Sequence, residues 1–278
     1  MPSFIDGPVS PRFTPLPLAG NAVLAALPPQ VVSAGMRAAA GQAPQGRCVG
    51  WGMPFDIGRV VLVAGEAVEL AWEAVAAPWL VFAHTSDTRP YRDARGESLR
   101  PLSGMGRLGE HAADYVFRYA DGDEVRVPIR RRFQVGLYGE YSGDLCFEAT
   151  HMFKACPVRP FSEQPGMDWL GGEMRIKPLD PSGWSNWLWA WENPRPAVPL
   201  VGLRLEPVSG VLLLSAITAG QVDSFPLRWG TRKKALLTLP EGVAFAPTLT
   251  PEGLLAQIRL DLGQVISATP RRCYAHAD

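Results

Sequence analysis

The chain has 278 residues, of which 47% are hydrophobic and 19% are charged, a composition that excludes an intrinsically disordered protein. Lysine and arginine together number 27 and are balanced by 27 aspartate and glutamate residues, which argues against nucleic-acid binding and against a basic membrane-surface protein. The 28 glycines and 27 prolines favour short strands joined by turns over a helical bundle.

Residues 12–50 are rich in proline and alanine and predict only one short helix, near residues 31–40. Strand patterns begin afterwards, with short β-branched or alternating runs over residues 59–64 and 67–74. Residues 79–84 are almost continuously apolar, which is typical of a strand buried on both faces.

Residues 115–130 carry the clearest local pattern. Positions 115, 117 and 119 are aromatic and position 118 is arginine, so the aromatic side chains share one face of a strand. An Asp-Gly turn follows at positions 121 and 122, after which apolar positions 125, 127 and 129 alternate with charged ones. The pattern predicts a β-hairpin with one buried and one solvated face.

Regularity is lost from residue 137 to residue 180, a stretch too long for an ordinary turn and more typical of a functional or capping excursion. Strands are expected again over residues 186–191, 201–205 and 211–218, followed by further strands in the tail. We therefore predict an all-β protein. A β-sandwich covers residues 1–218 with an insert at 138–183, and a small β-rich extension covers 219–278.

Several motifs occur in a fixed order along the chain: FTPLPLAGNA, then WGMPFDI at 51–57, VFAHTSD, the YVFRYADGDEVRVPI hairpin, and WAWENPRPAVPLVGLRLEP. This succession resembles the galactose-binding-like jelly-roll domains of bacterial carbohydrate-active proteins, over roughly residues 12–218. The resemblance implies a jelly-roll sandwich and a bias towards sugars. It does not imply catalysis, because members are often non-catalytic modules attached to an enzyme. The long insert and the missing secretion signal depart from the family pattern.

Tryptophans at positions 187, 189 and 191 alternate, so a strand would project all three rings from one face. Sugars stack their apolar C–H patches on such rings and bond polar groups at the edge. Two interpretations remain open: the rings fill the sandwich core, or they form an exposed ligand platform. The residues assigned to the platform and its edge are Trp184, Trp187, Trp189, Trp191, Asn193 and Arg195.

The histidines allow a similar choice. His84 lies in an apolar run and is expected to be a hydrogen-bonded core residue. His111, beside Glu110, is a candidate ligand residue or general base, with a plain loop histidine as the alternative. His151 is a further candidate ligand residue; Cys146 and Cys156 flank it, but three ligands at this spacing do not make a structural zinc site. The arginine run at 130–132 could hold an acidic sugar or a phosphate, but the pattern favours a solvated sheet edge.

The leading hypothesis is a carbohydrate-recognising sandwich, a non-catalytic or accessory module that needs no metal or cofactor. One alternative is an enzyme acting on a glycoside or a related polyhydroxylated substrate, in which His111, His151 and a nearby carboxylate would transfer protons, with the catalytic set otherwise unassigned. The other is a structural subunit. We expect a carbohydrate ligand, no nucleic acid and no membrane, and we allow for a homo-oligomer or a partner enzyme subunit. Four cysteines without a CxxC pair, no secretion signal and no long apolar segment make the cytoplasm the expected compartment.

Overall fold

A computed structural model describes residues 5, 9–90, 105–139, 146–152, 158–159, 174–175, 183–227, 237–248 and 255–258. In chain order the strands are β1 (Phe13–Leu16), β2 (Gly46–Gly50), β3 (Met53–Ile57), β4 (Val61–Val63), β5 (Val68–Val75), β6 (Trp79–Ser86), β7 (His111–Tyr119), β8 (Glu124–Arg130), β9 (Ala149–His151), β10 (Val158–Arg159), β11 (Met174–Arg175), β12 (Trp187–Glu192), β13 (Leu200–Pro207) and β14 (Leu212–Gly220). One short helix, α1 (Ala34–Ala39), begins at Ser33, whose hydroxyl accepts a hydrogen bond from the Met36 N–H. The helix expected near residues 31–40 is therefore confirmed.

Two antiparallel sheets form the body of the molecule. Sheet A has the order β1-β14-β6-β12-β9, with β4 also paired to β14, and sheet B has the order β5-β13-β7-β8. The main hydrophobic core draws side chains from both sheets, including Phe82 of β6, Phe117 of β7 and Leu203 of β13. The predicted all-β sandwich is confirmed.

Sheet A is covered on its other face as well. The β2–β3 hairpin contributes Cys48, Met53 and Phe55 to a second apolar cluster, which packs on Val81 of β6 and Leu188 of β12. Every residue of β6 and of β14 is consequently buried. The sequence predicted this double burial for residues 79–84 but predicted no strand before residue 59, so it missed the hairpin that causes the burial.

The predicted β7–β8 hairpin is confirmed, including its two faces. Tyr115, Phe117 and Tyr119 enter the main core, whereas Arg118 lies on the outer face and contacts Glu69 of β5 at 3.1 Å. The turn uses Gly122, whose φ of 92° lies in the left-handed region that glycine adopts without strain.

The outer face of sheet B is polar and carries a series of ion pairs between neighbouring strands. The pairs are Arg118–Glu69, Arg204–Glu124, Arg204–Glu206, Arg126–Glu206 and Arg126–Asp114. Hydrogen bonds from Arg126 and then Arg204 lower the pKa of the Glu206 carboxyl. Because these charges neutralise one another and face solvent, this surface needs no covering layer.

Other predicted regions fall partly outside the described residues. Within the predicted insert (138–183), β9 pairs with β12 and extends sheet A, so this part of the insert forms regular structure. The strands expected in the tail fall mostly outside the described residues, and the described stretch 237–248 contains none. Within the described residues, no helix has the length and apolar character needed to cross a membrane.

Candidate functional site

The alternating tryptophans of β12 lie inside the sandwich. Trp189 and Trp191 belong to the main core and are 5% and 6% exposed. The indole of Trp191 stacks on Phe117 of sheet B, with ring centroids 3.5 Å apart and planes 5° from parallel. The sequence left open whether these rings fill the core or form an exposed platform, and Trp189 and Trp191 lie in the core. Their role in ligand binding stays a prediction.

Trp187 and His151 are brought together at one end of β12. They are cross-strand partners, and their ring centroids lie 4.1 Å apart. The Trp187 indole N–H donates to the carbonyl of Leu137, and the ring presses against Gly136 so closely that a Cβ there would collide with it. Trp187 is therefore fixed and buried, whereas His151 is half-buried at the sheet edge.

Trp184 lies apart from this pair, in a third cluster. Its ring packs near Tyr138, with centroids 6.0 Å apart, and its indole N–H donates to Asn186 Oδ1. It is 1% exposed and serves to close the space between sheet A and the α1 region, which includes Met36.

Asn193 and Arg195 lie just beyond the opposite end of β12 from His151. The Asn193 side chain is buried and satisfied: Tyr119 Oη donates to its Oδ1, and its Nδ2 donates to the carbonyl of Ala77. Arg195 pairs with Asp121 and Asp123 in the hairpin turn. Asn193 and Arg195 are six and eight positions along the chain from Trp187, with extended strand between them, so the predicted set does not converge on one site.

His111 begins β7 on the opposite sheet from His151. Its Nε2 lies 2.7 Å from Asp114 Oδ1, and the imidazole is 41% exposed. Asp114 also accepts a hydrogen bond from Arg126. The pair is a half-exposed histidine–carboxylate contact, the arrangement that the enzymatic alternative would require of a proton-transfer group.

His84 occupies the middle of the core, as expected. Its Nε2 lies 2.8 Å from the carbonyl of Gln134, and its Nδ1 lies 2.8 Å from the Tyr115 hydroxyl. A carbonyl only accepts, so Nε2 carries the proton and the tyrosine hydroxyl donates to Nδ1. Burial lowers the pKa of His84 from 6.5 to about 4, an effect that the hydrogen bond to Gln134 partly opposes. The residue is thus a neutral structural element.

Arg131 is buried although its neighbours in the arginine run are not. It is 1% exposed, donates to the carbonyls of Asp87 and Ser209, and lies 3.8 Å from Glu110. Burial lowers the pKa of its guanidinium. A solvated sheet edge, which the sequence favoured for positions 130–132, is therefore wrong for Arg131, which instead joins loops that lie far apart in the chain.

An exposed aromatic pair lies at the same end of the sandwich as Arg131. Phe147 is 72% exposed, and its ring lies 5.0 Å from that of Phe133, measured between centroids. The backbone N–H groups of Phe147 and Glu148 donate to the carbonyls of Arg132 and Phe133, which fixes the two segments together. We call Phe133 and Phe147 the phenylalanine pair.

Polar side chains lie within one residue of the phenylalanine pair. Gln134 Nε2 donates to Glu148 Oε2 at 2.7 Å, while Gln134 Oε1 accepts from the Arg130 N–H. These bonds hold the carboxylate of Glu148 in place. The sequence analysis missed this pair because its two rings come from segments 14 residues apart, and only the exposure of Phe147 distinguishes it from an ordinary core residue.

The described residues contain no group of three or more histidine, cysteine, aspartate or glutamate side chains positioned to hold a metal ion. Of the two cysteines that flank His151, Cys156 lies outside the described residues.

Neither family models nor curated proteins match the chain.

Proposed function

We propose that this protein is a carbohydrate-recognising β-sandwich of the galactose-binding-like jelly-roll type, acting as a non-catalytic or accessory module. The ordered motif set supports the family, and the sandwich is compatible with it. The observation that carries the binding function is the phenylalanine pair: an aromatic side chain that is 72% exposed and packs, at a tilt of 37°, against a second ring.

The phenylalanine pair has the two properties that sugar binding requires. An exposed ring offers an apolar face to the C–H groups of a pyranose. The contact of the Phe147 ring with Phe133 limits its rotation, so less entropy is lost on binding. The carboxylate of Glu148, oriented by Gln134, supplies hydrogen-bond acceptors for hydroxyl groups. We therefore propose the ligand site at the surface around residues 132–134 and 147–148, and not at the buried tryptophans that the sequence suggested.

Phe147→Ala tests this proposal. Because the side chain is mostly exposed, we expect the free energy of unfolding to change by less than about 0.5 kcal/mol. We expect affinity for the best oligosaccharide of a mixed panel to fall by about tenfold or more, as measured by titration calorimetry. Phe225→Ala is the matched control, since Phe225 is also an exposed phenylalanine in an aromatic pair, with Trp79 on another surface.

Product analysis on the same samples separates the alternatives. Binding without turnover, lost in Phe147→Ala and kept in Phe225→Ala, supports the proposal. Turnover would favour the enzyme alternative, for which the His111–Asp114 contact is the specific structural support. No binding across the panel contradicts the proposal, and a stable dimer by gel filtration that Phe147→Ala dissociates would show that the ring pair is a subunit contact instead.

A further inference from the structure

Arg132 adjoins the phenylalanine pair and has unusual backbone geometry. Its φ is 65°, in the left-handed region that bulky side chains rarely adopt. Two hydrogen bonds hold it there: its N–H donates to the carbonyl of Val135, and its carbonyl accepts from the Phe147 N–H. Strain of this kind is retained where the surrounding structure imposes it, and it is common at ligand sites. The second of these bonds joins the backbone of Arg132 to that of Phe147, the residue that carries the exposed ring.

The Arg132 guanidinium has no acidic partner among the residues that the structure describes. Its Nε is buried, and no acceptor lies within hydrogen-bond distance of it. Arginines on the outer face of sheet B contrast with it, since Arg118, Arg126 and Arg204 each contact a carboxylate within 3.1 Å. A buried N–H donor without an acceptor is unfavourable, and the unpaired guanidinium charge favours an anion at its other nitrogens.

The charges around Arg132 also favour an anion. Arg130 is exposed and has no ion-pair partner in the described ranges, and Arg131 shares Glu110 with Arg89. Among the described residues, Glu148 is the opposing charge near the ring pair, and it already accepts from Gln134. The described residues at this end of the sandwich therefore carry a local cationic excess, in a chain whose formal net charge is zero.

We infer that the ligand of the phenylalanine pair is an acidic saccharide, whose carboxylate or sulfate group is bound by Arg132 while its sugar ring stacks on Phe147. The inference rests on the proposed function and narrows its substrate class. Stacking alone would accept neutral sugars equally well. A guanidinium donates two parallel hydrogen bonds to a carboxylate or a sulfate, and this bidentate contact would select the charged sugar.

The test compares two ligands that share one backbone: an oligogalacturonide and its methyl ester, which lacks the charges. We expect the wild-type protein to bind the acid about tenfold more tightly than the ester, with an affinity that falls as sodium chloride is added. Arg132→Gln should abolish this preference and retain binding of the ester. Phe147→Ala should weaken the binding of both ligands. Arg37→Gln, which removes an exposed arginine on α1, is the control and should bind both ligands as the wild type does.

The outcomes separate this inference from the function on which it rests. Equal binding of acid and ester by the wild type, or a preference that survives Arg132→Gln, overturns the acidic-saccharide assignment and leaves a neutral-sugar module. Full competition by inorganic phosphate at the same concentration as the saccharide also overturns it, since the site would then take a free anion. Failure to bind the acid, the ester or any sugar of the panel overturns the proposed function itself.

Discussion

The neutral histidine in the core makes the stability of this protein depend on pH in a predictable window. His84 is fully buried between Phe82, Tyr115 and Trp189, and none of these groups carries a negative charge. Burial also raises the pKa of Tyr115, which keeps the phenol neutral. A protonated imidazole at this position would be an uncompensated buried charge. Acid should therefore destabilise the fold, because His84 binds a proton more readily in the unfolded chain than in the core.

The direction and the size of this pH effect on the free energy of unfolding follow from the two pKa values of His84. The pKa is 6.5 for a solvated histidine and about 4 in the fold, so the unfolded chain binds more protons between these values. Stability is fully present above pH 6.5 and is lost as the pH falls towards 4. One pKa unit corresponds to about 1.4 kcal/mol, so the shift amounts to about 3 kcal/mol in total, of which about 2 kcal/mol is lost between pH 7 and pH 5.

Urea unfolding at pH 7, 6 and 5, followed by tryptophan fluorescence, measures this loss. His84→Gln replaces the imidazole by an amide that does not titrate. We expect this variant to be less stable at pH 7 and to lose about 2 kcal/mol less than the wild type between pH 7 and pH 5. His111→Gln removes the half-exposed imidazole that contacts Asp114 outside the core, and it is measured alongside to separate the contribution of that contact from the contribution of His84.

Two ion-paired carboxylates on the outer face of sheet B, Glu206 and Glu124, contribute to stability at lower pH than His84 does. Arginine contacts lower the pKa of Glu206 and Glu124 below their usual 4.5, so the stability these groups contribute is lost only at lower pH. An identical pH slope in the wild type and His84→Gln would refute the reasoning. If His84→Gln does not fold, the chemical shift of the His84 imidazole in the wild type gives the same answer: a pKa near 6.5 in the native state would be incompatible with a neutral core histidine.

Two further substitutions test how the end of the sandwich near the phenylalanine pair is built, both by urea midpoint. Gly136→Ala should lower the free energy of unfolding by about 1–3 kcal/mol, because the added Cβ would collide with the Trp187 indole. Gly58→Ala, which adds a Cβ into open space, should leave the free energy of unfolding nearly unchanged. Arg131→Met should lower the free energy of unfolding by about 3 kcal/mol, because it leaves a buried carbonyl (Asp87) and a half-buried one (Ser209) without their donor. Arg130→Gln, at the exposed neighbouring position, should change it by less than about 0.5 kcal/mol. Equal costs within either pair would contradict the packing described here.

The sequence predicted most strands of the two sheets because their patterns are local. The β7–β8 hairpin alternates cleanly around an Asp-Gly turn, and β6 is continuously apolar. The β2–β3 hairpin escaped prediction because Gly46, Gly50, Gly52 and Pro54 interrupt any alternating pattern over residues 46–57. Its strands are recognisable only from the apolar surface of sheet A that they cover.

The tryptophans of β12 show why the binding residues were harder to predict than the strands. Alternation identifies which side chains share a face, but it does not tell whether that face points to solvent or to another layer. Here both faces of β12 are covered: sheet B packs on Trp189 and Trp191, and the β2–β3 hairpin packs on Leu188 and Ala190. Whether these side chains are exposed depends on how the layers assemble, so the alternating pattern of β12 alone could not predict it.

The same layers restrict where a ligand can bind. The outer face of sheet A is covered by β2 and β3, and the outer face of sheet B carries arginines and carboxylates that neutralise one another. A ligand on sheet B would have to break ion pairs that already satisfy these groups. At the end of the sandwich, Phe147 and Arg132 combine an exposed ring with a guanidinium that has no acidic partner in the described part of the chain. Binding there displaces no existing ion pair, which is the energetic reason for proposing the site at the end of the sandwich and not on either outer sheet face.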